Sequence, residues 1–248
     1  MTATRTLIIG TAGGEFAVSG GGTDIAITPT NILIKKQSNN GAANVDALAV
    51  GNATLFLQRA RRKLRELAYN FDVDGYLAPD LTILAEHISE GGFKQLSYQQ
   101  EPNQIIWCAR NDGQLAGLTY QREQQVVAWH RHIFGGSFGS GNAVCDSVAT
   151  IPTDDSEYQT WVIVKRTING ATKRYIEYIH EYDFDETDDT SFNFLDSQLS
   201  YDGSAASTIS GLAHLEGQTV SILANGAAHP NKVVSSGEVI LERSATKV

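Results

Sequence analysis

The chain has few prolines, few cysteines and no long apolar run. Only five prolines and two cysteines occur among its 248 residues. Cys108 and Cys145 lie in separate apolar segments without C-x-x-C spacing, so we expect two small buried thiols rather than a disulfide or metal site. No apolar stretch approaches the roughly 20 residues that a membrane helix needs. The N-terminus also lacks the pattern of a signal peptide. We therefore expect no membrane segment.

Basic residues are also in the minority. The sequence holds 19 Lys and Arg against 28 Asp and Glu, for a formal net charge of -9. Because phosphate binding needs a basic surface, this balance disfavours a general affinity for nucleic acid. A protein with an acidic lining can still surround DNA without holding it.

The familiar catalytic and nucleotide-binding motifs are missing as well. The glycine-rich stretches "TAGGEF" and "SGGGTD" lack the Gly-Lys-Ser/Thr ending that holds phosphates, so they are interpreted as turns. No Gly-x-Ser-x-Gly elbow occurs, and no order of Ser, His and Asp marks a nucleophile with its base. We predict a protein that is not an enzyme and needs no cofactor.

Glycine, by contrast, is frequent, and it separates apolar runs that recur as pairs. Asn-Gly and Asp-Gly favour tight hairpin turns, and one such step falls in each of the last two pairs. Four hairpins are predicted, at residues 6–20, 52–70, 103–121 and 158–180.

The four hairpins recur at steps of about 50 residues, the length of a propeller blade. Further strands flank the third and fourth hairpins, and a blade consists of four strands. We predict an all-β protein with a propeller-like array of antiparallel hairpin blades over residues 1–182 and one short helix near 79–88. An acidic connection at 183–198 and a small, incomplete β module at 199–248 complete the prediction. A β-sandwich or barrel is the alternative.

Trp129, His130 and His132 lie on one predicted strand, "VVAWHRH". The two histidines share one face, and Trp129 lies on the other. Two histidines can begin a zinc site, but a catalytic site needs a third ligand, and none is marked by a motif. We therefore predict no metal, a position for Trp129 in the core or against a neighbouring blade, and a loop or subunit contact for His130 and His132. All three residues are candidates for an interaction surface.

The densest positive stretch is a candidate interaction surface. It comprises Arg59, Arg61, Arg62 and Lys63, within a predicted hairpin turn. Such a turn can contact DNA or an acidic partner, although charged residues are common in turns. The acidic residues that follow His180 lack the pattern of an EF-hand loop and are interpreted as a solvated connection.

Four segments resemble a known family. "DGYLAPDLTILAEHI", "GLTYQREQQVVAWHRH", "VKRTINGATKRYIE" and "TISGLAHLEGQTVSILANG" are similar to tail nozzle, or tail tubular protein B, proteins of short-tailed bacteriophages and prophages. Members of that family are usually much longer, so the resemblance implies a central portion or a shortened relative. It supplies no catalytic residues, because the family is structural.

The resemblance implies a propeller with additional β modules, assembled as a six-fold homo-oligomeric ring. Such a ring forms the lower tail tube, conducts DNA during ejection without binding it specifically, and docks the tail adaptor and fibre or spike proteins. The location implied is the virion, after synthesis in the cytoplasm of the bacterial host.

Two other hypotheses stay open. A glycan-binding or glycan-cleaving propeller module of a phage adhesin is supported by abundant carboxylates and by Trp107, Trp129 and Trp161, if these rings are exposed. A cellular propeller that binds other proteins is the third hypothesis. Activity on host polysaccharide would favour the first of these, and neighbouring portal and fibre genes would argue against the second.

Overall fold

Strands are the main regular secondary structure of the described residues, and the chain divides into two compact units. The computed structural model describes residues 1–3, 6–22, 25–154, 157–180 and 195–248. The prediction of an all-β protein with one short helix is confirmed. One unit comprises Met1–His132 and Cys145–Trp161, and the other Ile133–Val144 and Val162–Val248. Most of the predicted acidic connection lies outside the described residues, so the predicted boundary at residue 182 stays a prediction.

The first unit contains three four-stranded sheets. In each one the strands run antiparallel to their neighbours and follow one another in chain order. The first sheet consists of β1 (Thr2–Ala3), β2 (Leu7–Thr11), β3 (Gly14–Ser19) and β4 (Leu33–Ser38). The second has β5 (Leu48–Val50), β6 (Ala53–Leu57), β7 (Leu64–Asn70) and β8 (Gly75–Leu77). The third has β9 (Phe93–Gln99), β10 (Ile105–Arg110), β11 (Leu115–Gln121) and β12 (Val126–His132).

All four predicted hairpins form. They are β2–β3, β6–β7, β10–β11 and β16–β17, the last made by β16 (Tyr158–Ile168) and β17 (Ala171–Tyr178). At the last turn, Asn169 and Gly170 have φ values of 47° and 72°. This is the left-handed backbone that a two-residue hairpin turn requires and that Asn-Gly adopts at low cost.

Strand β6 is buried along its whole length and contributes to two apolar clusters. Leu55 and Leu57 belong to a cluster shared with the third sheet, which contains Phe93, Ile106 and Leu118 among others. Phe56 belongs to a second cluster, formed with Ile8 and Ala17 of the first sheet and Leu67 of β7. Because alternate side chains of a strand leave from opposite faces, β6 packs against a neighbour on each side.

A buried polar network also joins the second and third sheets. The carboxylate of Glu66 on β7 accepts a hydrogen bond of 2.8 Å from the Tyr120 hydroxyl and one of 2.6 Å from Arg122 Nε. Arg122 in turn donates to the side chain of Asn52. Burial, and then the hydrogen bond to Glu66, raise the pKa of Tyr120, so its hydroxyl keeps its proton and acts as the donor.

The helix is shorter than predicted. It spans Glu86–Ser89, whereas the apolar spacing had predicted a helix near 79–88. Residues 79–81 instead pair with β7, where Glu66 N donates to Pro79 O and Leu81 N donates to Leu64 O. Asp80 accepts hydrogen bonds from the backbone N–H and the hydroxyl of Thr82 in a tight turn. Neither helical segment among the described residues is long and apolar enough to cross a membrane.

Both cysteines are unpaired and fully buried, as predicted. Cys108 lies in the cluster between the second and third sheets. Burial raises the pKa of its thiol, and it also raises the pKa of Cys145 to about 11. Both thiols therefore stay protonated and act as small apolar side chains.

The remaining strands form one three-stranded sheet and three two-stranded ones. The three-stranded sheet has the order β15 (Val144–Pro152), β16, β17, and the division between the two units falls within β16. The two-stranded sheets pair β13 (Ser137–Phe138) with β14 (Gly141–Asn142), β18 (Asp202–Ser210) with β21 (Glu238–Lys247), and β19 (Thr219–Ala224) with β20 (Ala227–Val233). The C-terminal strands share one apolar cluster, centred on Ile209, Ala224 and Val239, and a 3₁₀ turn, Ala213–Leu215, joins β18 to β19.

Arg166 is the largest fully buried side chain and lies in the second unit. Its guanidinium contacts both carboxylate oxygens of Glu177 across the β16–β17 hairpin. Its Nε donates a hydrogen bond of 2.8 Å to the carbonyl of Gly135. The two contacts with Glu177 compensate the buried positive charge of Arg166, which would destabilise the fold if it had no partner.

We predict that Glu177→Gln lowers the free energy of unfolding by about 2 kcal/mol, because it removes the charge that compensates buried Arg166. Chemical denaturation monitored by circular dichroism measures the change. Glu242→Gln is the matched control, since Glu242 pairs with Lys232 at the surface and its side chain is 60% exposed. Equal losses in the two variants would contradict the role assigned to the buried pair.

Candidate functional site

The predicted basic residues lie on the turn between β6 and β7. The turn is closed by Gln58 N donating to Lys63 O at 2.9 Å and by Arg61 N donating to Gln58 O at 2.7 Å. Arg61 has a φ of 63°, a left-handed conformation that a non-glycine residue adopts only where its surroundings hold it there. Here Phe93 N donates to the carbonyl of Arg61, which ties the turn to the start of β9.

The four basic side chains of this turn have different surroundings. Lys63 forms an ion pair with Asp80, with Nζ 2.8 Å from the carboxylate. Burial alone would raise the pKa of Asp80, but the hydrogen bonds from Lys63 and Thr82 outweigh it and lower that pKa. Arg59 and Arg62 are exposed and Arg61 is half-buried. Lys63 therefore stabilises the fold, and the arginines are the residues of this turn that can meet a ligand or partner.

Trp129 packs inside the first unit, as predicted. Its ring stacks on Phe93, with centroids 5.5 Å apart and an interplanar angle of 7°. Its indole N–H donates a hydrogen bond of 2.8 Å to the carbonyl of Leu81. Its stacking partner and its hydrogen-bond acceptor both lie in the first unit, and the ring is half-buried.

His130 and His132 contact each other on the opposite face of β12. Nδ1 of His130 and Nε2 of His132 are 2.7 Å apart, and both rings pack edge-on against Trp107. Trp107 is buried, which corrects the expectation that this ring is exposed. Among the described residues, no group of three His, Cys, Asp or Glu side chains could hold a metal ion. The pair completes an aromatic cluster within the third sheet.

Gly117 makes room for this cluster. On the third sheet it lies between Trp107 on one neighbouring strand and His130 on the other. A methyl group placed on Gly117 would lie 2.1 Å from the His130 ring. The imidazole therefore crosses over a residue that has no side chain, as aromatic rings do beside glycines in other sheets.

The environment of His130 keeps its ring neutral. Burial, and then the nearby charge of His132, lower the pKa of His130 to about 4 from an ordinary value of 6.5. Above that pH the ring is neutral, with one nitrogen that donates and one that accepts. The 2.7 Å contact with His132 uses one of these nitrogens.

Sequence analysis missed a buried acidic residue, Glu15. It lies on β3 opposite Gly10, two residues before Ala17 of the apolar cluster, and is 1% exposed. Period-2 alternation could have placed Glu15 on the same face as Ala17, and a carboxylate at an inward position is an unusual choice. Glu15 lines the same cleft as Arg59 and Arg61.

Comparison with known proteins adds no family. No family model matches the chain, and no curated protein matches it. The tail nozzle resemblance therefore rests on the four sequence segments alone.

We predict that Gly117→Ala lowers the free energy of unfolding by about 2 kcal/mol, because the added methyl group displaces the His130 ring from Trp107. Thermal or chemical denaturation measures the loss. Gly13→Ala is the control, since a methyl group there meets nothing within 4 Å. A loss in Gly117→Ala no greater than that in Gly13→Ala would refute the close approach.

We also predict a pH effect from His130. The unfolded chain takes up a proton at this ring below about pH 6.5, whereas the native chain does so only near pH 4. The stability that the neutral ring contributes is therefore present above pH 6.5 and is lost as the pH falls toward 4.

The pH effect can be measured by titrating the histidine ring resonances by NMR. His130→Phe keeps an aromatic ring beside Trp107 and removes the titrating nitrogens. In this variant, stability should fall less steeply between pH 6.5 and 4. A His130 midpoint near 6.5 in the native protein would contradict the prediction.

Proposed function

We propose that this chain is a non-enzymatic component of the tail nozzle of a short-tailed bacteriophage or prophage. The observation that carries the structural part is the succession of three four-stranded antiparallel sheets in chain order. Four-stranded sheets of this kind are the blades of propellers, so we also propose a propeller-like arrangement for the first unit. The phage assignment rests on the four sequence segments that resemble the nozzle family.

Exposed apolar side chains support assembly with further copies or with other tail proteins. The turn between β7 and β8 carries Phe71, which is 88% exposed, and Val73, which is 59% exposed. Neighbouring apolar side chains that are both exposed can form part of an interaction patch. We propose that this turn is part of a ring contact.

The charge of the chain is compatible with the passage of DNA. With a net charge of -9, the protein has no general attraction for phosphate, so DNA would pass through a ring of such subunits without being held. The exposed arginines of the β6–β7 turn, Arg59 and Arg62, are compatible with contacts to acidic partners such as adaptor or fibre proteins.

The glycan hypothesis loses part of its support. It depended on exposed aromatic rings, which stack against sugars, but Trp107 is buried and Trp129 is stacked on Phe93. Trp107 therefore offers no exposed face to a polysaccharide, whereas Trp129 and Trp161 are half-buried. We therefore favour the nozzle, on the four segments that resemble that family and the three four-stranded sheets.

We predict that the protein self-associates and that Phe71→Ser raises the dissociation constant of the assembly by about tenfold or more, because it removes a side chain that is buried on association. Analytical ultracentrifugation over a range of concentrations measures the change. Asp72→Asn, at the neighbouring exposed position, should leave the association unchanged.

A second measurement addresses the phage assignment. Peptides of this chain should be found by mass spectrometry in purified virions, in a fixed ratio to portal and fibre proteins. A chain that is monomeric at high concentration and absent from virions would refute the proposal.

A further inference from the structure

A cleft with a volume of about 420 Å³ lies in the first unit, beside the apolar cluster shared by the first two sheets. Its lining includes Ile8, Glu15, Thr54, Phe56, Arg59 and Arg61. A volume of this size falls within the range of small-molecule sites. Ile8 and Phe56 supply apolar surface, and the other four residues supply polar groups of both charges.

Two polar groups of the cleft have no partner within the protein. Among the described residues, only four buried side-chain nitrogen or oxygen atoms lack a hydrogen bond, and two of them are Glu15 Oε1 and Thr54 Oγ1. Glu15 is 1% exposed and Thr54 is 2% exposed. The other carboxylate oxygen of Glu15 accepts a hydrogen bond from the Ser38 hydroxyl. A buried acceptor without a donor lowers stability, and a ligand hydroxyl could satisfy it.

The same cleft is lined by two arginines, Arg59 and Arg61, and the backbone of both is fixed. Arg59 N donates to Gly41 O at 2.9 Å, and Arg61 is held by its hydrogen bonds with Gln58 and Phe93. The Arg59 side chain makes a long contact of 3.5 Å with the carbonyl of Ala12. A guanidinium group recognises a carboxylate through two parallel hydrogen bonds.

We propose that this cleft binds a small polyhydroxylated carboxylate, the chemical class of the uronic acids. A hydroxyl group donates to Glu15 Oε1 and a second hydroxyl meets Thr54 Oγ1, while the ligand carboxylate pairs with Arg59 and Arg61. The proposal stands on these four residues and does not depend on a role in a phage tail.

Other ligand classes fit the cleft less well. A phosphate or sulfate ion would bring negative charge to Glu15, and an amine without an anionic group would meet the two arginines. The lining holds two carboxylates, buried Glu15 and exposed Asp46, and a bound divalent cation would need more oxygen ligands than these. The described residues hold no cluster of three metal-binding side chains. A ligand with hydroxyl groups and one carboxylate satisfies both charges of the cleft.

The test is an NMR titration of the ¹⁵N-labelled full chain with glucuronate and, separately, with glucose. Glucose has the same ring and hydroxyl groups but lacks the carboxylate. We expect saturable shifts around Glu15 and Thr54 with glucuronate, and binding of glucose about tenfold weaker or more. Absence of saturable binding by glucuronate, equal affinity for the two sugars, or shifts confined to another surface would overturn the proposal.

Two substitutions on the same turn distinguish a specific effect of the cleft from a general effect of charge. Arg59→Gln should weaken glucuronate binding by about tenfold, because it removes a charged donor. Arg62→Gln is the matched control, since Arg62 lies on the same turn, is exposed and does not line the cleft. Equal effects of the two substitutions would show that only general charge matters and would overturn the assignment.

Thr54→Val provides a variant that is expected to fold. It keeps the branched shape of the side chain and removes an unpartnered hydroxyl, so the midpoint of thermal unfolding should not fall. Binding of glucuronate should weaken severalfold. Unchanged affinity in this folded variant would remove Thr54 from the site and contradict the proposal.

Discussion

Burial of β6 on both faces is the constraint on which the first unit depends. Leu55 and Leu57 lie in the cluster shared with the third sheet, and Phe56 lies in the one shared with the first. Complete burial of each such side chain is worth about 1.5–3 kcal/mol. Because β6 contributes to two clusters, a polar residue at position 55, 56 or 57 would lie against an apolar face of a neighbouring sheet and destabilise it. The order of the three sheets follows from this shared strand.

Local turn chemistry explains why the hairpins could be predicted from the sequence. Asn169-Gly170 and the glycines near residue 13 determine the connections within a few residues, and the apolar runs beside them have few alternatives to strand pairing. The extent of the helix, by contrast, could not be predicted from local sequence. Leu81, Leu84, Ala85 and Ile88 have helical spacing, but residues 79–81 pair with β7, a contact between residues far apart in sequence. Leu84 is consequently exposed, although the spacing predicted an inward position.

The side-chain clusters could be predicted only in part, for the same reason. Strand alternation correctly placed His130 and His132 on the face opposite Trp129. That this face meets Trp107 depends on the register of three strands, in which Gly117 lies between Trp107 and His130. The burial of Glu15 likewise depends on what the first sheet packs against. Strand register and sheet packing determine where the histidine pair and Glu15 lie, and no short sequence motif predicts either.

The buried position of Cys108 has a consequence for the study of this fold. Its sulfur lies between the second and third sheets, at a position that an alkylating reagent cannot enter while these sheets are together. The rate at which the thiol is modified therefore reports how often the two sheets separate, and a bound ligand or a neighbouring subunit that slows this separation would slow the modification to the same extent. Alkylation of Cys108 thus measures the rate at which the second and third sheets separate.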